Sequence, residues 1–352
     1  MKNVVEYLTG IALGRERGPG ALCLGPLLWC LSLVYGVVVW VYRGLYQTGV
    51  LRSFRAGVPV ISVGNITAGG TGKTPFVVML YKVLRQEGYH PMVLTRGYMG
   101  GQSGFSDEAR MVQELIGPKV FVGADRVKSF QAALKAGPFD CVILDDGFQQ
   151  WGFKRDLDIV LLDSQKPFGN GNLIPGGILR ETGSELRRAD IIVLTRADRV
   201  SETDLALLKA RLKKVFPRSA QAVGVHAFSA ARDVSGELNN ALKDLSGPAG
   251  AFCAIGDPAS FQSTLAVLGI ELKFFSSFPD HYSFNEADVQ RIIAQCREKD
   301  VTRVFITHKD LVKLHDHRGL FNGIRLIVID MELVLTYGKT ELISSVRRLR
   351  NS

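Results

Sequence analysis

Val58-Pro-Val-Ile-Ser-Val-Gly-Asn-Ile-Thr-Ala-Gly-Gly-Thr-Gly-Lys-Thr-Pro75 joins three kinds of sequence in one stretch. Val58 to Val63 is a β-branched apolar run, which reads as a buried strand. Glycines then break it, and Gly72-Lys73-Thr74 stands just before the apolar helical run Phe76 to Leu84. Strand, Gly-rich loop, Gly-Lys-Thr and helix, in that order, are the parts of a phosphate-cradling P-loop. Glycines let backbone N–H groups turn toward phosphate oxygens, the lysine brings a mobile cation to the terminal phosphates, and the threonine hydroxyl can ligate Mg²⁺. The candidate cradle is Thr67, Ala68, Gly69, Gly70, Thr71, Gly72, Lys73 and Thr74. Thr67 stands where such motifs usually begin with glycine, and Gly69 and Gly70 can compensate inside the loop. The bland alternative is a chance Gly-rich turn before a helix.

Further along, Phe139 to Leu144 is an apolar strand ending in Asp145-Asp146-Gly147. A strand ending in carboxylate is the Walker B arrangement, which holds Mg²⁺ or its water opposite the P-loop threonine. Two adjacent acids would repel each other unless a cation sits between them. Between these motifs, Gly100 to Ser106 is a Gly-rich loop leading into Asp107-Glu108. Asp107 sits where an N-cap belongs, yet a carboxylate after a strand beside the P-loop is also where a catalytic base would stand. The Gly-, Asn- and Pro-rich loop Phe168 to Glu181 reads as a substrate lid or wall. Thr195-Arg-Ala-Asp198 nearly matches the guanine-reading [Asn/Thr]-Lys-x-Asp of P-loop GTPases, with Arg196 in place of lysine.

The chain has 352 residues, 46% hydrophobic and 22% charged, enough for two folded domains. Its formal net charge of +9 calls for an anionic partner or surface. Five scattered cysteines with no C-x-x-C pair argue against a disulfide framework and a zinc site, and suit a reducing compartment. Near the N-terminus an uncharged apolar run, Ala21 to Tyr42, is long enough to enter or cross a bilayer. Trp29, Trp40 and Tyr42 suit its interfaces, and Arg43, Arg52 and Arg55 follow on what would be the cytoplasmic side. A buried core helix is the competing reading. After Pro217, strands at 250–255, 272–275, 303–307 and 326–329 alternate with helical segments, a second α/β unit without a P-loop. His281, in Phe278-Pro-Asp-His-Tyr282, is a lone loop histidine, a type more often structural than catalytic. No nucleic-acid motif is visible.

Taken in order, these residues resemble the tetraacyldisaccharide 4′-kinase family, the lipid A kinases of Gram-negative bacteria. The resemblance runs through Val63 to Pro75, Thr95-Arg-Gly-Tyr98, Ser106-Asp-Glu-Ala109, Leu144-Asp-Asp-Gly-Phe-Gln149, Asn170 to Glu181, Phe278 to Tyr282 and Thr307-His-Lys-Asp310. It implies ATP-dependent phosphorylation of the 4′-hydroxyl of a tetraacylated glucosamine disaccharide 1-phosphate, giving lipid IVA. It also implies that Asp107 acts with His281 on the acceptor hydroxyl, that Asp145 and Asp146 serve Mg²⁺ and organise the site, and that Lys73 and Thr74 keep their P-loop roles. Gln150, Ser106 and His308 depart from the pattern, where His, Gly and an acid are common.

The expected architecture is α/β: a P-loop NTPase-like, mostly parallel sheet domain over 43–220, a smaller α/β domain over 221–352, and a membrane-associated apolar helical segment over 1–42. The expected cofactors are ATP and Mg²⁺, the expected partners a lipid substrate and the cytoplasmic face of the bacterial inner membrane, with no nucleic acid and no protein partner inferred. A membrane-docked P-loop GTPase or metallochaperone-like switch is the alternative.

Overall fold

The computed structural model describes residues 7, 10–12, 16, 18–97, 107–234, 247–280, 282–314 and 317–350, with backbone alone for 107 and 108. The chain divides into two compact units: one of Met1–Gly97, Ile116–Val225 and Leu333–Ser352, the other of Tyr98–Leu115 and His226–Glu332. This differs from a single boundary near residue 220 in two places. The segment containing Asp107 goes with the second unit, and the C-terminal segment returns to the first.

In the first unit β1 (Val60–Asn65) is buried along its whole length, as a strand covered on both faces must be. It pairs in parallel with β4 (Cys141–Asp145) on one side and β5 (Leu157–Asp163) on the other. Outside β4 lie β2 (Pro91–Thr95) and β3 (Val120–Val122). Outside β5 lie β6 (Ile191–Thr195) and the start of β7 (Ala220–Asp233). The chain thus moves outward through β2 to β3, returns at β4 and crosses to the other side at β5. That reversal puts the topological switch point at the carboxyl ends of β1 and β4, the place where open α/β sheets take their ligands. Apolar clusters around Phe130, Met92 and Phe153, and around Phe148, Leu162 and Ile192, fill the core.

Helix α1 (Pro19–Gln47) carries proline at its start, where the missing N–H costs nothing. Ala21, Leu28 and Ser32 are buried, whereas Leu22, Trp29, Val34, Val37, Val38 and Trp40 are exposed. Helix α2 (Lys73–Gln86) follows the P-loop and buries Phe76, Val77 and Leu80. Helix α3 (Asp107–Ile116) begins at the candidate base. Helix α4 (Arg126–Leu134) is N-capped by Asp125, whose carboxylate accepts from the Val127 and Lys128 N–H groups at 3.0 and 3.1 Å.

In the second unit β10 (Arg303–Thr307) pairs in parallel with β8 (Pro248–Cys253) and with β11 (Arg325–Tyr337), and β8 pairs with β9 (Glu271–Ser277). Strands β7 and β11 each begin in one unit and end in the other.

Candidate active site

The P-loop leaves the end of β1 through Asn65, which is fully buried. Its side-chain amide donates to Thr71 Oγ1 at 2.9 Å, pinning the loop's far limb to the strand. Gly69 and Gly72 take φ values of 106° and 82°, a region that glycine enters without the Cβ clash other residues meet. Gly72 then caps α2, so Lys73 and Thr74 are its first two residues, where the helix dipole and unsatisfied N–H groups favour an anion. Thr67 is buried and bridged antiparallel to Leu179, and the Ala68 N–H donates to the Ile178 carbonyl at 2.6 Å. In this structure the Ala68 amide therefore faces the loop 168–181.

Thr195 Oγ1 donates to the Thr71 carbonyl at 2.9 Å, and Arg196 donates to the Gly70 carbonyl at 2.7 Å and to Asp163 at 2.6 Å. The residues that resembled a base-reading motif thus brace the P-loop from behind, through a left-handed backbone at Arg196.

Asp145 ends β4 and Asp146 follows it in the turn, and Val63 of β1 lies in register with Asp145, so the two motifs share one end of the sheet. Asp145 accepts from Thr95 Oγ1 at 2.9 Å, while Arg126, buried below it, donates to its carbonyl at 3.3 Å. Burial holds the Arg126 guanidinium below its ordinary pKa, with Asp145 and Asp146 opposing that shift. Asp146 has φ 52°, a strained turn that aspartate tolerates better than most residues. Its two oxygens accept from Arg180 Nη1 at 2.8 and 2.7 Å, and Lys73 Nζ lies 3.5 Å from Oδ1. Burial alone would raise the Asp146 pKa, but Lys73 and Arg180 outweigh it and hold the carboxyl below its ordinary range.

Behind Arg180, Glu181 is buried against Arg188, whose guanidinium also lies 4.0 Å from the centre of the Phe148 ring. Burial pushes the Glu181 carboxyl up and the Arg188 guanidinium down, each partly opposed by the other. Glu185 joins Arg188 to Arg43. Arg43, one of the cations expected to face headgroups, is thus held in an ion pair.

Of the expected site residues, the structure brings Lys73 and Asp146 together and puts Thr74 and Asp145 at the same end of the sheet. Asp107 opens α3, its side chain lying outside the description, and His281 lies outside the described residues. Thr95, Arg126 and Arg180 carry much of the site's charge and hydrogen bonding and were not singled out from the sequence. The available signal was charge inside Gly-rich or strand-end segments, where a cation needs a partner.

In comparisons with known proteins, a family model for tetraacyldisaccharide-1-P 4′-kinase matches residues 24–349. The tetraacyldisaccharide 4′-kinase of Halothermothrix orenii is 33% identical, covering 95% of this chain and 95% of its own. That of Syntrophus aciditrophicus is 36% identical, covering 85% and 86%. Among solved structures, LpxK from Aquifex aeolicus in complex with ATP superposes with a TM-score of 0.71 at 28% identity, over 93% of this chain and 99% of that one.

Proposed function

The chain belongs to the tetraacyldisaccharide-1-P 4′-kinase family, and from that premise we propose how its residues divide the work of a lipid kinase. It is an ATP-using transferase of lipid A biosynthesis. The γ-phosphoryl group of ATP passes to the 4′-hydroxyl of a tetraacylated glucosamine disaccharide 1-phosphate, giving lipid IVA. The observation that carries the assignment of roles is the array Lys73–Asp146–Arg180 beside the P-loop.

Phosphoryl transfer asks little covalent chemistry of the protein and much positioning of charge. Residues 69–74 cradle the triphosphate, with Lys73 on its terminal oxygens, while Thr67 and Ala68 tie the loop to residues 178 and 179. Asp146 holds the lysine in place before nucleotide arrives, and Arg180 keeps Asp146 from swinging away. Thr74, Asp145 and Asp146 offer hard oxygen donors, the set that suits Mg²⁺. Those oxygens would hold the ion, which would supply neutralisation of the developing phosphate charge. Asp107, aided by His281, accepts the proton of the 4′-hydroxyl, a role that a carboxylate–imidazole pair can fill.

The acceptor carries four acyl chains and stays in the bilayer, so the enzyme works at the cytoplasmic face of the inner membrane. The exposed apolar face of α1 supports this. Burying each large side chain in lipid contributes about 1.5–3 kcal/mol. Basic residues near an anionic surface add only about 1 kcal/mol each. The helix therefore anchors and the charge steers. One stripe of α1 is docked on its own unit through Ser32 and Tyr35, which favours a helix lying in one leaflet over one crossing both.

The test is incubation with γ-labelled ATP, Mg²⁺ and the disaccharide lipid. Label is expected on the lipid with the wild-type chain and to be lost with Lys73→Ala while far-UV circular dichroism shows the fold retained. Near-normal transfer by Lys73→Ala would overturn the assignment.

A further inference from the structure

Ser32 is a hydroxyl within the uncharged run of α1, and only 3% of it is exposed. Its one proton is shared between the Leu28 carbonyl, one turn back, and the Leu173 carbonyl, each at 2.8 Å. Its oxygen also accepts the Gly176 N–H at 2.8 Å. One turn on, the Tyr35 hydroxyl donates to the Arg180 carbonyl at 3.1 Å. The contact is close: a Cβ on Gly176 would meet Ser32 Oγ at 2.7 Å and the Leu28 carbonyl at 3.1 Å. Residues 172–180 thus lie as a strap along α1.

The far side of the strap is bonded to the phosphate site. Arg180 N–H donates to the Ile66 carbonyl at 2.7 Å, and Ala68 N–H to Ile178 at 2.6 Å. The Arg180 guanidinium grips both oxygens of Asp146, which stands beside Lys73. A lipid-facing helix needs neither hydroxyl for insertion. Serine and tyrosine on its docked stripe instead bond three strap backbone groups: the Gly176 N–H, the Arg180 carbonyl and the Leu173 carbonyl, which also accepts from the Gly177 N–H at 2.8 Å.

We propose that Ser32 and Tyr35 are positioning residues that tie the membrane helix to the phosphate site, setting Arg180 on Asp146 through the strap. The inference rests on the kinase reading above. Seating α1 in a membrane then steadies the same strap that lines the P-loop, so anchoring and phosphoryl transfer share one mechanical element.

Tyr35→Phe removes a single oxygen and keeps the ring. In the full-length enzyme with lipid acceptor, kcat is expected to fall about five-fold, the size of one net hydrogen bond. KM for ATP should stay within about two-fold, and co-sedimentation with vesicles should not change. In an Arg180→Ala background the same change should have no further effect on kcat, because the route it acts through is gone. Ser32→Ala should speed hydrogen exchange at the Gly176 amide with no substrate present. An additive loss in the Arg180→Ala background, or unchanged exchange at Gly176, overturns the inference. Failure of the wild-type chain to label the lipid would defeat the kinase reading instead, and the exchange result would stand apart from it.

Discussion

Asp146 is where the site's electrostatics converge. This half-buried carboxylate is held as an anion by the two cations that face it, Lys73 and Arg180. Asp107→Ala and His281→Ala are each expected to lower kcat more than they raise KM for ATP, because the acceptor proton matters only in the transition state. Normal turnover in both would sink their assignment as base. Gly64, inside β1, is set by packing: an added Cβ would meet the Phe148 backbone nitrogen at 2.8 Å. Gly64→Ala should destabilise by about 1–3 kcal/mol, as overpacking does, and denaturant unfolding with an unchanged midpoint would refute that. In the second unit Asp330 accepts from Arg232 and lies 3.1 Å from His308 Nδ1. Burial alone would raise its pKa, but the His308 hydrogen bond and Arg232 outweigh it and hold the carboxyl low. A carboxylate more acidic when folded stabilises above its unfolded titration range, and that contribution is lost as pH falls through the folded pKa. Asp330→Asn should therefore be less stable at neutral pH, and its Tm should fall less than the wild type's between neutrality and about pH 3. Parallel Tm curves would count against it.

At the scale of elements, α1 has two unlike faces. Leu28, Ser32 and Tyr35 meet the strap, while Val34, Val37 and Trp40 face outward, at 61%, 60% and 70% exposure. Val34→Glu with Val37→Glu places two charges on the outward face, and partition into vesicles should fall by an order of magnitude or more. Circular dichroism should be unchanged, since neither side chain is in the core. Vesicle binding equal to wild type would mean that another surface anchors the chain. Helix α2 and strands β1 and β4 were legible from their apolar runs and from the glycines and acids that end them. Strand β7 and the last helix, α5 (Lys339–Leu349), were not. The mixed small and polar composition of β7, Ala220 to Asp233, lacks a clean period of two, and only its neighbours make it a strand.

For the whole molecule, the +9 charge should make binding to anionic vesicles weaken as salt rises, while binding to zwitterionic vesicles, driven by α1, should change little. Salt-insensitive binding to both would leave the charge without a membrane role. Segments distant in sequence share a unit, since α3 goes with the second and α5 with the first. By itself the sequence determined the P-loop, the acidic strand end and the apolar helix, since each is written in consecutive residues whose spacing carries the physics. Only the tertiary structure decided that Arg180 grips Asp146 across 34 positions, that Tyr35 reaches Arg180 across 145, and which stripe of α1 is docked. Those contacts depend on chain closure and on burial of charge, which no local pattern encodes.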